Sequence, residues 1–160
     1  MTQTQAHDEQ DAIVSEVRIA APPETVYPFL TDPARIVRWM GRDVSGDPQP
    51  GGALRVDIND WATASGSFVE LVPNQRVSFT FGWENAEPVG PGSSTVEISL
   101  TPDGDGTLVR LVHRGLPVES HPSHLHGWNH YLPRLATLVT GGDPGPDPNA
   151  TATAPASAAV

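Results

Sequence analysis

Strict alternation of apolar and polar residues across the middle of the chain constrains the fold more than any other feature. Between about residues 54 and 113, apolar side chains recur at every second position, as in Phe79, Phe81 and Trp83. This spacing gives each strand one covered face and one wet face, which is typical of antiparallel sheets. Turn residues such as those at 102–106 predict hairpin connections. The alternation therefore predicts five consecutive antiparallel strands.

Three segments outside this block supply the remaining elements. Residues 13–19 are short and rich in β-branched side chains, which indicates a first strand. Two short helices follow, each opened by proline, and Asp32 is placed to cap the second. From about 121 to 140, apolar residues fall on one arc of a helix. Pro133 lies within this last helix and predicts a bend.

The order of these elements predicts an α+β fold. A curved antiparallel sheet of about six strands would surround a long C-terminal helix, with two short helices after strand 1. The long helix offers the only apolar stripe large enough to cover the sheet. A curved sheet touches one helix incompletely, so we expect an internal apolar cavity between them.

The two ends of the chain differ in composition from the middle. Residues 1–11 are polar and aperiodic, and residues 142–160 consist almost entirely of Gly, Pro, Ala, Thr, Ser, Asp and Asn. Such segments bury too little apolar surface to offset the entropy of ordering them. We therefore predict one domain over 12–141, with disordered tails at 1–11 and 142–160.

Charge and residue usage exclude several classes of function. The chain has nineteen acidic residues and nine arginines but no lysine, which gives a net charge of −10. Scattered single arginines argue against binding to nucleic acids or anionic membranes. The chain has no cysteine, which excludes disulfides and thiolate metal sites. No apolar run spans a membrane and no signal sequence is evident, so we expect a cytoplasmic monomer or homodimer without a cofactor.

Seven short segments in a fixed order carry a family resemblance. They are Arg18-Ile19 followed by APPETVYPFLTDP, Trp39 with Gly41, Pro50-Gly51-Gly52, Gly66-x-Phe68-x-Glu70 leading to Pro73, SFTFGW at 78–83, GTLVRLVHRGL at 106–116 and GWNHYLPRLATL at 127–138. Together they span about residues 13–140. In this order they resemble the bacterial relatives of the activator of heat-shock protein 90 ATPase, within the START-like (SRPBCC) superfamily. That superfamily includes polyketide cyclases and birch-pollen-allergen-like proteins.

The resemblance implies a helix-grip fold with an internal ligand cavity. The chain departs from the family pattern at Tyr27, where tryptophan is common, and at Pro28 and Pro133. The eukaryotic chaperone activator carries an additional N-terminal domain for which this chain has no room. A chaperone partner is therefore implied by the family name alone.

A cluster of histidines at the start of the predicted long helix includes a pair with the spacing of metal ligands. His126 and His130 are four residues apart, as two metal ligands on one helical face would be. Both point away from the apolar arc, however, so we predict a solvated histidine face and no metal site. The other two members of the cluster are His121 and His124.

The predicted cavity defines the candidate binding residues. His113 shares strand parity with Leu111 and should face inward, either as a ligand contact or as a histidine held by local hydrogen bonds. Aromatic residues of the sheet and helix would form the walls. The full predicted set is Trp39, Phe79, Phe81, Trp83, Leu111, His113, Trp128 and Leu132.

Three functions remain open at this point. The first is binding of a small hydrophobic or aromatic molecule for sequestration, transport or sensing, with residues 84–94 as a gate and no evident catalysis. The second is a polyketide cyclase/aromatase-like or hydrolase-like enzyme, in which His113 would act with Glu70 or Glu84 as acid and base. The third is a stress-response or chaperone-interacting module.

Overall fold

The computed structural model describes residues 12–84 and 88–151. Seven strands, four α-helical segments and two 3₁₀ turns follow one another along this part of the chain. They are β1 Ala12–Ile19, α1 Pro23–Val26, α2 Pro28–Thr31, α3 Pro33–Ile36, β2 Asp43–Gly46, β3 Ala53–Asp57, β4 Thr63–Val72, β5 Arg76–Phe81, β6 Ser94–Asp103, β7 Gly106–Arg114, a 3₁₀ turn Val118–Ser120, α4 His121–Val139 and a 3₁₀ turn Pro148–Thr151. None of the described helices is long and apolar enough to cross a membrane.

The strands form one curved antiparallel sheet in the order β1-β7-β6-β5-β4-β3-β2. The predicted α+β helix-grip fold, with a long C-terminal helix and short helices after strand 1, is confirmed. The sheet has one strand more than the six or so expected. The additional strand, β2, is four residues long and mostly exposed, so no apolar alternation marks it in the sequence. A break in register between Phe68 and Glu70 introduces an irregularity in β4, of the kind that helps a sheet to bend.

Prolines divide the region after β1 into three single helical turns rather than two helices. Pro28 and Pro33 each begin a new turn, because proline has no N–H to continue the bonding pattern of the turn before it. Asp32 caps α3 as predicted, and its carboxylate accepts a hydrogen bond from the Ala34 amide at 3.0 Å. Trp39 follows these turns, and its indole N–H donates to the Phe29 carbonyl at 2.8 Å.

The long helix α4 lies across the concave face of the sheet. It runs through Pro133 without interruption, and that proline lies on its exposed side. The apolar arc predicted from the sequence faces the sheet, and Leu132 and Leu135 are almost completely buried. The Ser15 hydroxyl of β1 donates to the Asn129 side-chain oxygen at 2.5 Å, which links the helix to the first strand.

The packed chain extends beyond the predicted domain end. Residues 142–151, which we call the C-terminal strap, lie against α4 and the segment after α3. The predicted domain end at 141 leaves out these contacts, whereas residues 1–11 and 152–160 lie outside the described residues. The composition of residues 142–151 did not predict these contacts, because the strap is held by polar rather than apolar groups. The main one is the buried carboxylate of Asp147.

Candidate functional site

Two small apolar pockets lie between the short helices, strands β3 to β5 and α4. Their free volumes are about 20 Å³ and about 30 Å³. A single water molecule needs roughly 10–15 Å³ measured in this way, so each pocket has room for only about one to three waters. Five residues line both pockets: Met40, Val56, Ala64, Phe81 and Trp128.

All eight of the predicted binding residues are buried, but they do not all reach a pocket. Trp39 and Phe79 line the first pocket and Trp83 lines the second, while Phe81 and Trp128 line both. The other three, Leu111, His113 and Leu132, lie deeper in the core.

Three of the five residues that line both pockets were absent from the predicted set. Met40 belongs to the apolar stripe that follows Asp32, and Val56 belongs to the alternating block, so patterning could have found both. Ala64 carries no sequence signal, because its small side chain leaves the space that larger neighbours enclose.

A chain of hydrogen bonds joins the helix to the sheet behind the pockets. The Trp128 indole N–H donates to His113 Nδ1 at 3.1 Å. An indole can only donate, so Nδ1 is the acceptor and neutral His113 carries its proton on Nε2. That nitrogen lies 2.8 Å from the Ser94 hydroxyl, which in turn donates to the Phe81 carbonyl at 2.7 Å. Every polar atom of this first relay is satisfied.

A second relay of the same design lies beside the first. The Trp83 indole N–H donates to His124 Nε2 at 2.9 Å, and His124 Nδ1–H donates to the Ser120 carbonyl at 2.8 Å. The prediction that the helix histidines form a solvated face is therefore wrong for His124, which is 3% exposed. His124 precedes Trp128 by four residues and so shares its helical face. This spacing is the signal that could have revealed it.

The two relays meet around the ring of Phe81. The centroid of the Phe81 ring lies 5.0 Å from that of the His113 ring and 5.3 Å from that of the Trp83 ring. Both pairs of rings meet edge to face. Burial, with smaller contributions from the nearby His124 and His121, lowers the pKa of His113 to about 3. Burial also lowers the pKa of His124. Both imidazoles are therefore neutral at neutral pH, and among the described residues no buried side-chain nitrogen or oxygen lacks a partner.

The remaining helix histidines are exposed or partly buried. His126 is exposed, as predicted. His130 is partly buried, and its Nε2 lies 3.4 Å from Asp147 Oδ1. Across residues 12–84 and 88–151, no group of three or more His, Cys, Asp or Glu side chains is arranged to hold a metal ion.

The carboxylates considered for acid–base catalysis lie at the surface. Glu70 accepts a hydrogen bond from Arg76 at 3.0 Å, and Glu84 accepts two from Arg55 at 2.8 and 3.1 Å. These arginines lower the pKa of each carboxyl group. Neither carboxylate is bonded to His113, whose ring nitrogens are occupied by Trp128 and Ser94. The acid–base pair therefore does not assemble.

The C-terminal strap fastens the outer wall of the second pocket. Asp147 Oδ2 accepts from the Gly41 amide at 3.0 Å and from the Tyr131 hydroxyl at 2.7 Å. Tyr131 lines this pocket, and Gly41 directly follows Met40, which lines both. The Asn59 side chain donates to the Asn149 carbonyl at 2.8 Å, which ties the strap to the turn after β3. The strap thus contacts Tyr131 of the pocket wall and two residues, Gly41 and Asn59, that directly follow lining residues.

The loop predicted to act as a gate is partly described. Residues 85–87 lie outside the described chain. The Trp83 amide donates to the Val89 carbonyl at 2.7 Å, and Val89 is buried. A Cβ atom at Gly82 would collide with the Gly90 carbonyl oxygen, so only glycine permits this close approach. The described part of the loop is therefore packed against the end of β5.

Comparison with known proteins places the chain in a family. A family model described as Activator of Hsp90 ATPase homolog 1-like protein matches residues 20–140. The chain belongs to this family. No curated protein matches it.

Solved structures of similar proteins support the placement. An AHSA1-like protein from Rhizobium etli is 47% identical with a TM-score of 0.68, and the match covers 86% of each chain. CalU16 from Micromonospora echinospora is 30% identical with a TM-score of 0.68, over 81% of this chain and 76% of that one. DynU16, from the dynemicin biosynthetic locus, is 26% identical with a TM-score of 0.74, over 86% of this chain and 50% of that one.

In this AHSA1-like chain, the segments that carry the resemblance build the pocket region. The segment 78–83 supplies Phe81 and Trp83, and the segment 127–138 supplies Trp128 and Tyr131. A third segment, 106–116, supplies His113, the acceptor of the first relay.

Proposed function

We propose that this AHSA1-like protein binds a small apolar or aromatic molecule in its two adjoining pockets. The observation that carries the proposal is the shared wall. Met40, Phe81 and Trp128 each face both pockets, so movement of a side chain between them would join the two spaces. Met40 is the best suited to move, because its side chain has three rotatable bonds and a polarizable sulfur.

The polar groups near the pockets favour an apolar occupant. The indole N–H groups of Trp83 and Trp128 donate to imidazole acceptors, and both imidazoles are satisfied on their second nitrogen. The third indole, that of Trp39, donates to the Phe29 carbonyl. A polar ligand would have to break one of these bonds to gain another, whereas an apolar ligand would leave them intact. The occupant should therefore be recognised by shape and aromatic contact rather than by hydrogen bonding.

The free volume requires the pocket to adapt when it binds. Pockets for drug-sized ligands span roughly 300–1,000 Å³, far more than the free space of these two pockets. A two-ring aromatic compound is therefore a better first probe than a large one. The origin of DynU16 in a biosynthetic locus is compatible with a small-molecule ligand for this chain also.

Substitution of Ala64, which faces both pockets, tests the proposal. We expect Ala64→Leu to weaken binding of naphthalene by about tenfold or more, because the added carbon atoms occupy the space that the ligand needs. Met40→Ala should tighten binding, because it enlarges and joins the pockets. Binding is measured by isothermal titration calorimetry or by the change in tryptophan fluorescence.

Ala53→Leu is the matched control, since it adds the same atoms at an exposed position of β3. It should leave the affinity unchanged. If wild type binds no apolar aromatic probe, or if Ala64→Leu and Ala53→Leu bind equally well, the pockets are not the ligand site.

A further inference from the structure

Two arginines of this acidic chain have no carboxylate within ion-pair distance among the described residues. In the described part of the chain, all but two of its arginines lie within ion-pair distance of a carboxylate, and the exceptions are Arg38 and Arg134. The paired arginines are Arg18, Arg35, Arg42, Arg55, Arg76, Arg110 and Arg114. In a chain of net charge −10, two cations without a carboxylate partner are unexpected.

Both of these arginines line the same cleft. It lies between the C-terminal strap, the segment after α3 and the last turns of α4, and its volume is about 340 Å³. This is the size range of small-molecule sites and more than ten times the free volume of either apolar pocket. The cleft is separate from the proposed apolar site, since its lining shares no residue with theirs.

Arg134 is held in place by backbone oxygens alone. Its guanidinium donates to the carbonyls of Trp39 at 3.0 Å, Pro144 at 3.0 Å and Gly145 at 2.8 Å. A guanidinium has five N–H groups, so two remain for a ligand. Carbonyl groups orient the side chain without neutralising its charge, which leaves a fixed positive group at the cleft.

The other charged groups of the cleft are already engaged. Arg42 is paired with Asp57 and Asp60. Both oxygens of Asp147 accept hydrogen bonds, and its side chain is 1% exposed. Asp143 accepts a hydrogen bond from the Gly145 amide within the strap. Arg38 is exposed and has no hydrogen-bond or ion-pair partner among the described residues, so it is free to close on a ligand.

We propose that the strap cleft binds a small anion, a carboxylate or a phosphate, between Arg134 and Arg38. Guanidinium groups bind both kinds of anion through short, paired, charge-assisted hydrogen bonds. Arg134 provides the fixed half of the site and Arg38 the mobile half. The strap is essential, because its carbonyls orient Arg134.

Titration of the full chain with sodium phosphate and, separately, with sodium malonate tests this site. Ionic strength is held constant with sodium chloride, because screening would otherwise change along the titration. We expect saturable one-site binding of at least one anion, followed by calorimetry or by NMR shifts. Arg38→Gln should weaken that binding about tenfold or more. It should leave naphthalene binding unchanged, which separates this site from the apolar one.

Arg35→Gln is the matched control. Arg35 is also an exposed arginine and lies in α3, three residues before Arg38, but it pairs with Asp32 and does not line the cleft. Its replacement should leave anion affinity unchanged. Saturable binding of phosphate alone would assign phosphate groups to the cleft, and of malonate alone, carboxylates. Absence of saturable binding, or equal weakening by both substitutions, would overturn the proposal.

Discussion

Asp147→Ala should lower the free energy of unfolding by about 2–4 kcal/mol, because it leaves buried hydrogen-bond donors without an acceptor. The carboxylate accepts from the Gly41 amide, the Tyr131 hydroxyl and the Asn149 amide at 2.7–3.0 Å. Alanine can replace none of these bonds. Urea denaturation at pH 7 measures the change.

The strap supplies its own control for this experiment. Asp143 is exposed and accepts a single hydrogen bond from Gly145, within the strap. Asp143→Ala should therefore change stability much less than Asp147→Ala. Equal effects would mean that the strap contributes to stability through its composition and not through the buried carboxylate.

The stability of the protein should fall by about 2 kcal/mol between pH 7 and pH 5 on account of His113 alone. Burial lowers the pKa of His113 from 6.5 to about 3 in the folded protein. Between these values the unfolded chain binds a proton that the folded chain does not, so stability falls as the pH falls. The contribution is complete above pH 6.5 and is lost progressively toward pH 3. His124, whose pKa is also lowered by burial, adds to the loss.

This window separates the histidines from the carboxylates. The pKa values of Glu70 and Glu84 are lowered from 4.5 by their arginine partners, so their contributions are lost only below that pH. Urea denaturation at pH 7, 6 and 5 gives the slope. His113→Gln keeps a hydrogen-bond acceptor and a donor but removes the titrating ring. It should reduce the fall in the free energy of unfolding between pH 7 and pH 5 to the part due to His124.

His126→Gln serves as the matched control, since His126 is exposed on the same helix as His124. This variant should lose as much stability between pH 7 and pH 5 as wild type does. If the stability of His113→Gln falls as steeply with decreasing pH as that of wild type, His113 is not the group that takes up the proton on unfolding.

Periodicity in the sequence predicted the sheet and the long helix because both bury one apolar face. The alternation at Phe79, Phe81 and Trp83 and the helical spacing of Trp128 and Leu132 follow directly from that requirement. Elements without a buried apolar face were missed. The edge strand β2 is mostly exposed, and the strap is attached by polar contacts.

The candidate site was harder to predict because its shape depends on contacts between distant residues. Trp83 and His124 are 41 residues apart, and neither position alone shows that one will bind the other. His113 was correctly expected to face inward, but both its ring nitrogens are used within the core. How much space remains is decided by the side chains that fill the fold, and strand parity carries no information about that.

The indole hydrogen bonds make the pocket walls separately observable. Trp39, Trp83 and Trp128 each donate an N–H inside the protein, to a carbonyl or to an imidazole, whereas Trp61 is 50% exposed. Exchange of these protons with deuterium requires local opening. The exchange rates of the Trp83 and Trp128 indole protons therefore report separately on the opening of the two relays. The rate of Trp39 reports on the helical turns, and that of Trp61 gives the unprotected reference.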